Sequence, residues 1–151
     1  MNSQTLETKG GLESSSKVLL LVRGLPGSGK SSLAKYFAEE TLRKTFTCSA
    51  DDFFTNPFTK EYKFIPSKIG EAHEACQLAT RFALSHEGDV LVVVHNTSTT
   101  ENEVETYKTI AEEVGAAFVS IVVENRHGNP SIHGVPEETL GRMKARFSIK
   151  L

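Results

Sequence analysis

Few features of this chain suit it to cross a bilayer, to brace itself covalently or to coat a polyanion. No apolar run approaches the roughly 20 residues that a membrane-spanning helix needs, so no membrane partner is expected. Two cysteines, Cys48 and Cys76, are too few for a disulfide framework and lack metal-ligand spacing. That usage suits a reducing, cytoplasmic setting. Charge of neither sign dominates: 17 Lys and Arg against 19 Asp and Glu leave a net −2. A uniformly basic nucleic-acid coat is thereby excluded, while a local basic groove is not. Internal repeats are absent, and the opening "MNSQTLETKGGLESSSK" is polar without the apolar centre of a secretory signal. Residues 1–16 read as a flexible tail. Residues 17–151, in a chain that is 38% hydrophobic, suffice for one domain.

What is present alternates. "KVLLLVRG" (17–24) and "DVLVVV" (89–94) are continuous apolar runs, the pattern of strands buried on both faces. "TFTCSA" (45–50) and "AAFVSIVVE" (116–124) read as two more strands. Between them, Leu33, Ala34, Phe37, Ala38 and Leu42 share one helical face, and Ile69, Ala72, Cys76, Ala79 and Ala83 another. Thr100 and Glu103 form a capping box for a third helix carrying Val104, Tyr107, Ile110, Ala111 and Val114. Gly115 stands where that helix would end. Pro136 opens a last helix with Leu140, Met143 and Phe147. Strand and helix in alternation predict an α/β fold, a central parallel sheet with helices on both faces.

The chemistry begins at "GLPGSGKSSLA". Gly24, Gly29, Lys30 and Ser31 fit G-x-x-x-x-G-K-[ST], with a buried strand before and an amphipathic helix after. Glycines let backbone N–H groups turn inward on phosphate oxygens, and the helix N-terminus adds a favourable dipole. Gly24, Pro26, Gly27, Ser28, Gly29, Lys30, Ser31 and Ser32 are therefore the expected nucleotide-binding residues, with Lys30 on the terminal phosphates and Ser31 the candidate Mg2+ ligand. No guanine-specifying N-K-x-D follows, which argues for ATP over GTP and against a switch. The third strand ends "VVVHNTS" without an acidic pair, which argues against a motor. A small phosphotransferase remains, and such an enzyme needs a base near the acceptor hydroxyl. Asp51 and Asp52 follow the second strand directly, at the sheet edge where ligands of open α/β folds sit.

Taken in order, "GLPGSGKSSLA", "SADDFF", "VVHNTS" and "HGVPEETLGRM" make the chain resemble the P-loop polynucleotide 5′-hydroxyl kinases and their kinase-like relatives, from about Lys17 to Phe147. The resemblance implies a three-layer P-loop kinase-type fold with a lid, and transfer of the ATP γ-phosphate to a 5′-hydroxyl of DNA or RNA. It implies Asp51 as the general base. It also implies a lid arginine, for which Arg126 is taken, with Arg142 and Arg146 as alternatives. Where the family carries "DTN" or "DNTN" at the end of the third strand, this chain has His95 and Asn96, which together with Asp52 are the candidates for the acceptor side. A small-molecule kinase and an ATP-binding module without transferase activity are the rival readings. His73 reads as an inward-packed histidine or as part of the acceptor pocket. At most one or two of Phe53, Phe54, Phe58, Tyr62 and Phe64 are expected to meet a base, and the rest to pack. "NRHGN" (125–129) is expected to be the lid.

Overall fold

Leucine and valine fill β1 (Lys17–Arg23) and β3 (Val90–Asn96) because both strands are covered on both faces. The two pair in parallel through their full length, Lys17 opposite Val90 and Arg23 opposite Asn96. β2 (Lys44–Cys48) adds to the far side of β3, and β4 (Ala117–Val122) to the far side of β1. The sheet order is β2-β3-β1-β4, all parallel, in a computed structural model that describes residues 16–151. The expected tail lies outside the described residues except for Ser16.

Alternation along the central strands sorts the core into two layers. Leu19, Leu21, Val90, Val92 and Val94 point to one face and pack on Ala72, Cys76 and Leu84 of α2 (Ile69–Leu84) and Val104, Tyr107 and Ile110 of α3 (Glu101–Glu113). Leu20, Val22, Leu91 and Val93 point to the other, where Ala34 of α1 (Lys30–Glu40), with Leu33 and Phe37, covers them. Helices on both faces of a parallel sheet are what the alternating pattern predicts. The covering is uneven, since two helices lie on one face and α1 alone seals the other. Val119 of β4 is 45% exposed there.

Three boundaries differ from the sequence reading. α1 stops at Glu40, where Thr41 is already extended, so Leu42 is thrown fully into solvent instead of joining the apolar stripe. α3 ends at Glu113, with Val114 as its cap and Gly115 in the left-handed conformation (φ 68°), so Val114 leaves the buried face. Pro136 caps α4 (Glu137–Arg146) from outside, and Phe147 follows the helix, lying beneath the Arg23 guanidinium at 5.0 Å. The capping box forms as expected: the Thr100 N–H donates to Glu103 Oε2 at 2.8 Å. Among the described residues, no helix is long and apolar enough to cross a membrane.

Candidate functional site

β1 hands directly to the glycine-rich loop, and each glycine there answers a steric demand. A Cβ on Gly24 would lie 2.7 Å from the Val123 carbonyl oxygen, a backbone atom that has nowhere to go. Gly27 (φ 85°) and Gly29 (φ 99°) are left-handed, a conformation that costs any L side chain. Gly29 is the residue before α1, and no side chain caps the helix there, so its first N–H groups face the cavity. The Lys30 ammonium lies in the loop with the Leu25 carbonyl as acceptor, 3.0 Å away. Burial pulls the Lys30 pKa down to about 8, against the opposing pull of the Asp51 carboxylate. Ser28 Oγ is buried without a hydrogen-bond partner. A buried cation with one neutral acceptor, an orphaned hydroxyl and an open helix N-terminus together fit a polyphosphate.

The loop floors a cavity of about 910 Å3. Residues 26–32 line it; Gly24 lies behind them. Asp51, His95, Tyr62 and His133 line it as well. Asp51 stands in a 3₁₀ turn, Ala50–Phe54, which Ser49 and Asp52 cap reciprocally. Asp52 is spent on that cap, since its carboxylate accepts from the Ser49 N–H at 3.0 Å. The Asp51 carboxylate meets different partners. The Tyr62 hydroxyl donates to Oδ1 at 3.2 Å, and His133 Nε2 lies 3.6 Å from Oδ2. Burial and the nearby carboxylate push the Tyr62 pKa up to about 12, so the phenol keeps the proton it donates.

At the end of β3 the two candidates part. His95 Nδ1 lies 3.4 Å from Ser31 Oγ, and burial pulls its pKa below the usual imidazole range despite Asp52 and Asp51 nearby. It therefore adds no charge beside the expected metal ligand. Asn96, 5% exposed, lines the cavity alongside His95, but its side-chain amide is bonded inward. Its Oδ1 accepts from the Ala50 N–H at 2.9 Å, and its Nδ2 donates to the Tyr107 hydroxyl at 3.2 Å. Asn96 thereby ties β3 to the turn that carries Asp51. Among the described residues, no group of three or more His, Cys, Asp or Glu side chains could hold a metal. A Mg2+ ion here would use the Ser31 hydroxyl together with oxygens of the nucleotide itself.

None of the three arginines lines the cavity. Arg126 is exposed and pairs with Glu124. Arg142 pairs with Glu138 of its own helix, and Arg146 donates to Thr99 Oγ1. The segment after β4 contributes histidines instead. His127 Nδ1 accepts from the Asn129 N–H at 3.0 Å, which leaves Nε2 as the donor to the Ser28 carbonyl at 3.2 Å. The backbone of residues 129–131 passes so close that a Cβ on Gly27 would be 2.9 Å from Ser131 N. His127 and His133 were not singled out as site residues, although both stand in quoted stretches, "NRHGN" and "HGVP". His73 of α2 also lines the cavity.

A family model described as an AAA domain matches residues 19–129, which runs from the middle of β1 into the segment after β4. The chain belongs to this AAA domain family. Over 137 residues it is 32% identical to human NEDD4-binding protein 2, a match that takes in 86% of this chain and 8% of that protein. The chain thus spans under a tenth of that relative's length. Among solved structures, Chaetomium thermophilum Kti12 in complex with ADP-AlF3 superposes with a TM-score of 0.61 at 12% identity, covering 87% of this chain and 80% of that one. A chain of the Pnkp1/Rnl/Hen1 RNA repair complex does so with 0.56 at 20% identity, covering 89% and 39%. With that to the Mycobacterium tuberculosis APS kinase CysC (TM-score 0.54 at 17% identity, covering 86% and 96%), these likenesses show the fold of this AAA domain to be the three-layer P-loop kinase type.

Proposed function

We propose that this AAA domain is an ATP-dependent kinase that transfers the γ-phosphate to a hydroxyl, and that the hydroxyl is the 5′ end of a polynucleotide. One observation carries the phosphotransferase reading: Lys30, Ser31 and Asp51 line the same cavity. In this reading the loop amides and Lys30 hold the β and γ phosphates, and Asp51 takes the proton of the attacking hydroxyl. Mg2+, bound through Ser31 and the phosphates, would neutralise charge on the transferring group. The polynucleotide acceptor is supported by the ordered sequence signatures, and by a structural relative that belongs to an RNA repair complex. The buried free thiols of Cys48 and Cys76 support a reducing compartment such as the cytoplasm.

Incubation with radiolabelled ATP and either 5′-hydroxyl oligonucleotides or a metabolite mixture tests both levels. Labelled oligonucleotide is the expected product. Label in a metabolite alone would replace the acceptor but keep the chemistry, and no product with any acceptor would leave a nucleotide-binding module. Asp51→Ala is expected to lower transfer by about 10³-fold or more while ATP binding by calorimetry stays within about twofold. Wild-type transfer by that variant would remove Asp51 from the mechanism.

A further inference from the structure

Two side chains approach the Asp51 carboxylate from separate segments, Tyr62 hydrogen-bonded to one oxygen and His133 3.6 Å from the other. Tyr62 follows in the same excursion, brought back by the bridge between Thr55 and Tyr62, and donates to Oδ1. His133 comes from the segment between β4 and α4, where a turn closed by Ser131 fixes it: the His133 N–H donates to Ser131 Oγ, and the Gly134 N–H to Ser131 O. The His133 and Tyr62 rings stack, with centroids 3.9 Å apart and planes within 28°. One flat ring thus lies on another, and both present a polar edge to the same carboxylate.

The same segment touches the phosphate loop at a second point, through His127 on the Ser28 carbonyl and residues 129–131 over Gly27. A segment that docks at both places can report the state of one to the other. We infer that His133 is a positioning residue for Asp51, so that the proton acceptor is fixed in its reactive orientation only while this segment lies against the phosphate loop. A free carboxylate rotates about its Cβ–Cγ bond. One that accepts from Tyr62 at one oxygen and has the His133 ring close beside the other has less room to turn, and small misplacements of a reacting group are costly in rate. The device would leave the base loose whenever this segment lifts off the phosphate loop. The inference rests on Asp51 being the proton acceptor, as proposed above.

Three variants separate positioning from simple closure. His133→Ala is expected to lower kcat by about 10- to 100-fold with the KM for ATP within about twofold. His133→Gln, which keeps a donor near the same place, is expected to recover several-fold of that loss. His127→Ala, which frees the segment from the loop, is expected to raise the KM for ATP and also to lower kcat, because His133 leaves Asp51 with the segment; a raised KM at unchanged kcat would break the proposed link. In the nucleotide-free chain, NMR should show cross-peaks between the ring protons of His133 and Tyr62, a readout that needs no turnover. Unchanged kcat in His133→Ala, equal losses in the Ala and Gln variants, or absence of the cross-peaks would each overturn the inference. If the intact chain transfers phosphate to no acceptor at all, the kinase reading falls with it, whereas transfer by intact chain and His133→Ala alike sinks the positioning role alone.

Discussion

Residues 26–32 and residues 129–136 line one cavity and are held by different means. The floor is backbone geometry: Gly24 has no room for a Cβ, Gly27 and Gly29 are left-handed, and the Ser28 N–H closes a turn on the Leu25 carbonyl at 3.1 Å. It is continuous with β1 and α1, whose residues Val22 and Ala34 are buried. The roof is held by side chains. His127 reaches the floor and His133 reaches Asp51, while Ile132 between them is 90% exposed. α4, which follows, has no buried residue. Backbone built into a core resists rearrangement, whereas a segment with few apolar contacts opens at little cost. The cavity thus joins a floor built into the core to a segment with few apolar contacts of its own.

The sharpest way to break this contrast is a single branched side chain in the floor. Gly24→Val puts carbon against the Val123 carbonyl and the Ser28 hydroxyl, so the strand end or the loop must shift. ATP binding is expected to fall more than about 100-fold, with about 2–4 kcal/mol lost from stability in chemical denaturation. The equivalent insult to the roof, Gly134→Ala, meets no neighbour within 4 Å and only strains a positive φ. It is expected to cost about 1 kcal/mol and to leave ATP binding near wild type. Equal losses from the two variants would end the distinction between floor and roof.

A second test uses the charge in the floor. Lys30 has its pKa pulled down to about 8 from 10.5 in the empty protein, chiefly by burial. Phosphates would restore the proton. Between pH 8 and the bound-state value, binding therefore takes up a proton, and affinity falls as pH rises, by up to about tenfold per unit. Below pH 8 the lysine is charged in both states and contributes no slope. Titration calorimetry in buffers of different ionisation heat should register the uptake at pH 9 and not at pH 7. The same shift has an opposite sign for folding. The unfolded chain binds the extra proton between pH 8 and 10.5, so stability of the empty protein gains from this group as pH rises through that window. Lys30→Met should then stabilise the nucleotide-free chain at pH 7 by about 2–3 kcal/mol while abolishing ATP binding.

The contrast between floor and roof also divides what was legible in the sequence. Backbone demands leave local spacing behind. The three loop glycines, the Thr100–Glu103 cap and the apolar strands β1 and β3 could all be read from neighbours in the chain. Side-chain contacts between distant segments leave none. The His133–Asp51 approach joins residues with α2, β3, α3 and β4 between them, and no local pattern records it. Arg126 looked eligible as a residue type, yet its partner is Glu124, two residues away. Asp52 was readable in part. Ser49 and Asp52 have the spacing of a capping pair, and the structure uses them as one. Asn96 ends an apolar run, and only the fold reveals that its amide is consumed by Ala50 and Tyr107.

The smallest expected effect comes from a residue belonging to neither floor nor roof. Phe58 is 91% exposed at the tip of the excursion after Asp51, and the tip is not loose. Asn56 Oδ1 accepts from the N–H groups of Phe58 and Thr59 at 2.8 and 3.0 Å, and the Lys60 N–H donates to the Asn56 carbonyl at 2.9 Å. A ring held out by a well-bonded turn gains nothing from the core, so Phe58→Ala should change stability by less than about 0.5 kcal/mol. An unpaired base can stack on such a face for about 1–3 kcal/mol. With a 5′-hydroxyl oligonucleotide acceptor, KM for the oligonucleotide should rise about fivefold or more, with kcat and the KM for ATP unchanged. A small hydroxyl compound confined to the cavity would never reach Phe58, which does not line it. An unaltered acceptor KM in this variant therefore favours the small-molecule acceptor over the polynucleotide, and does so without disturbing either the phosphate seat or Asp51.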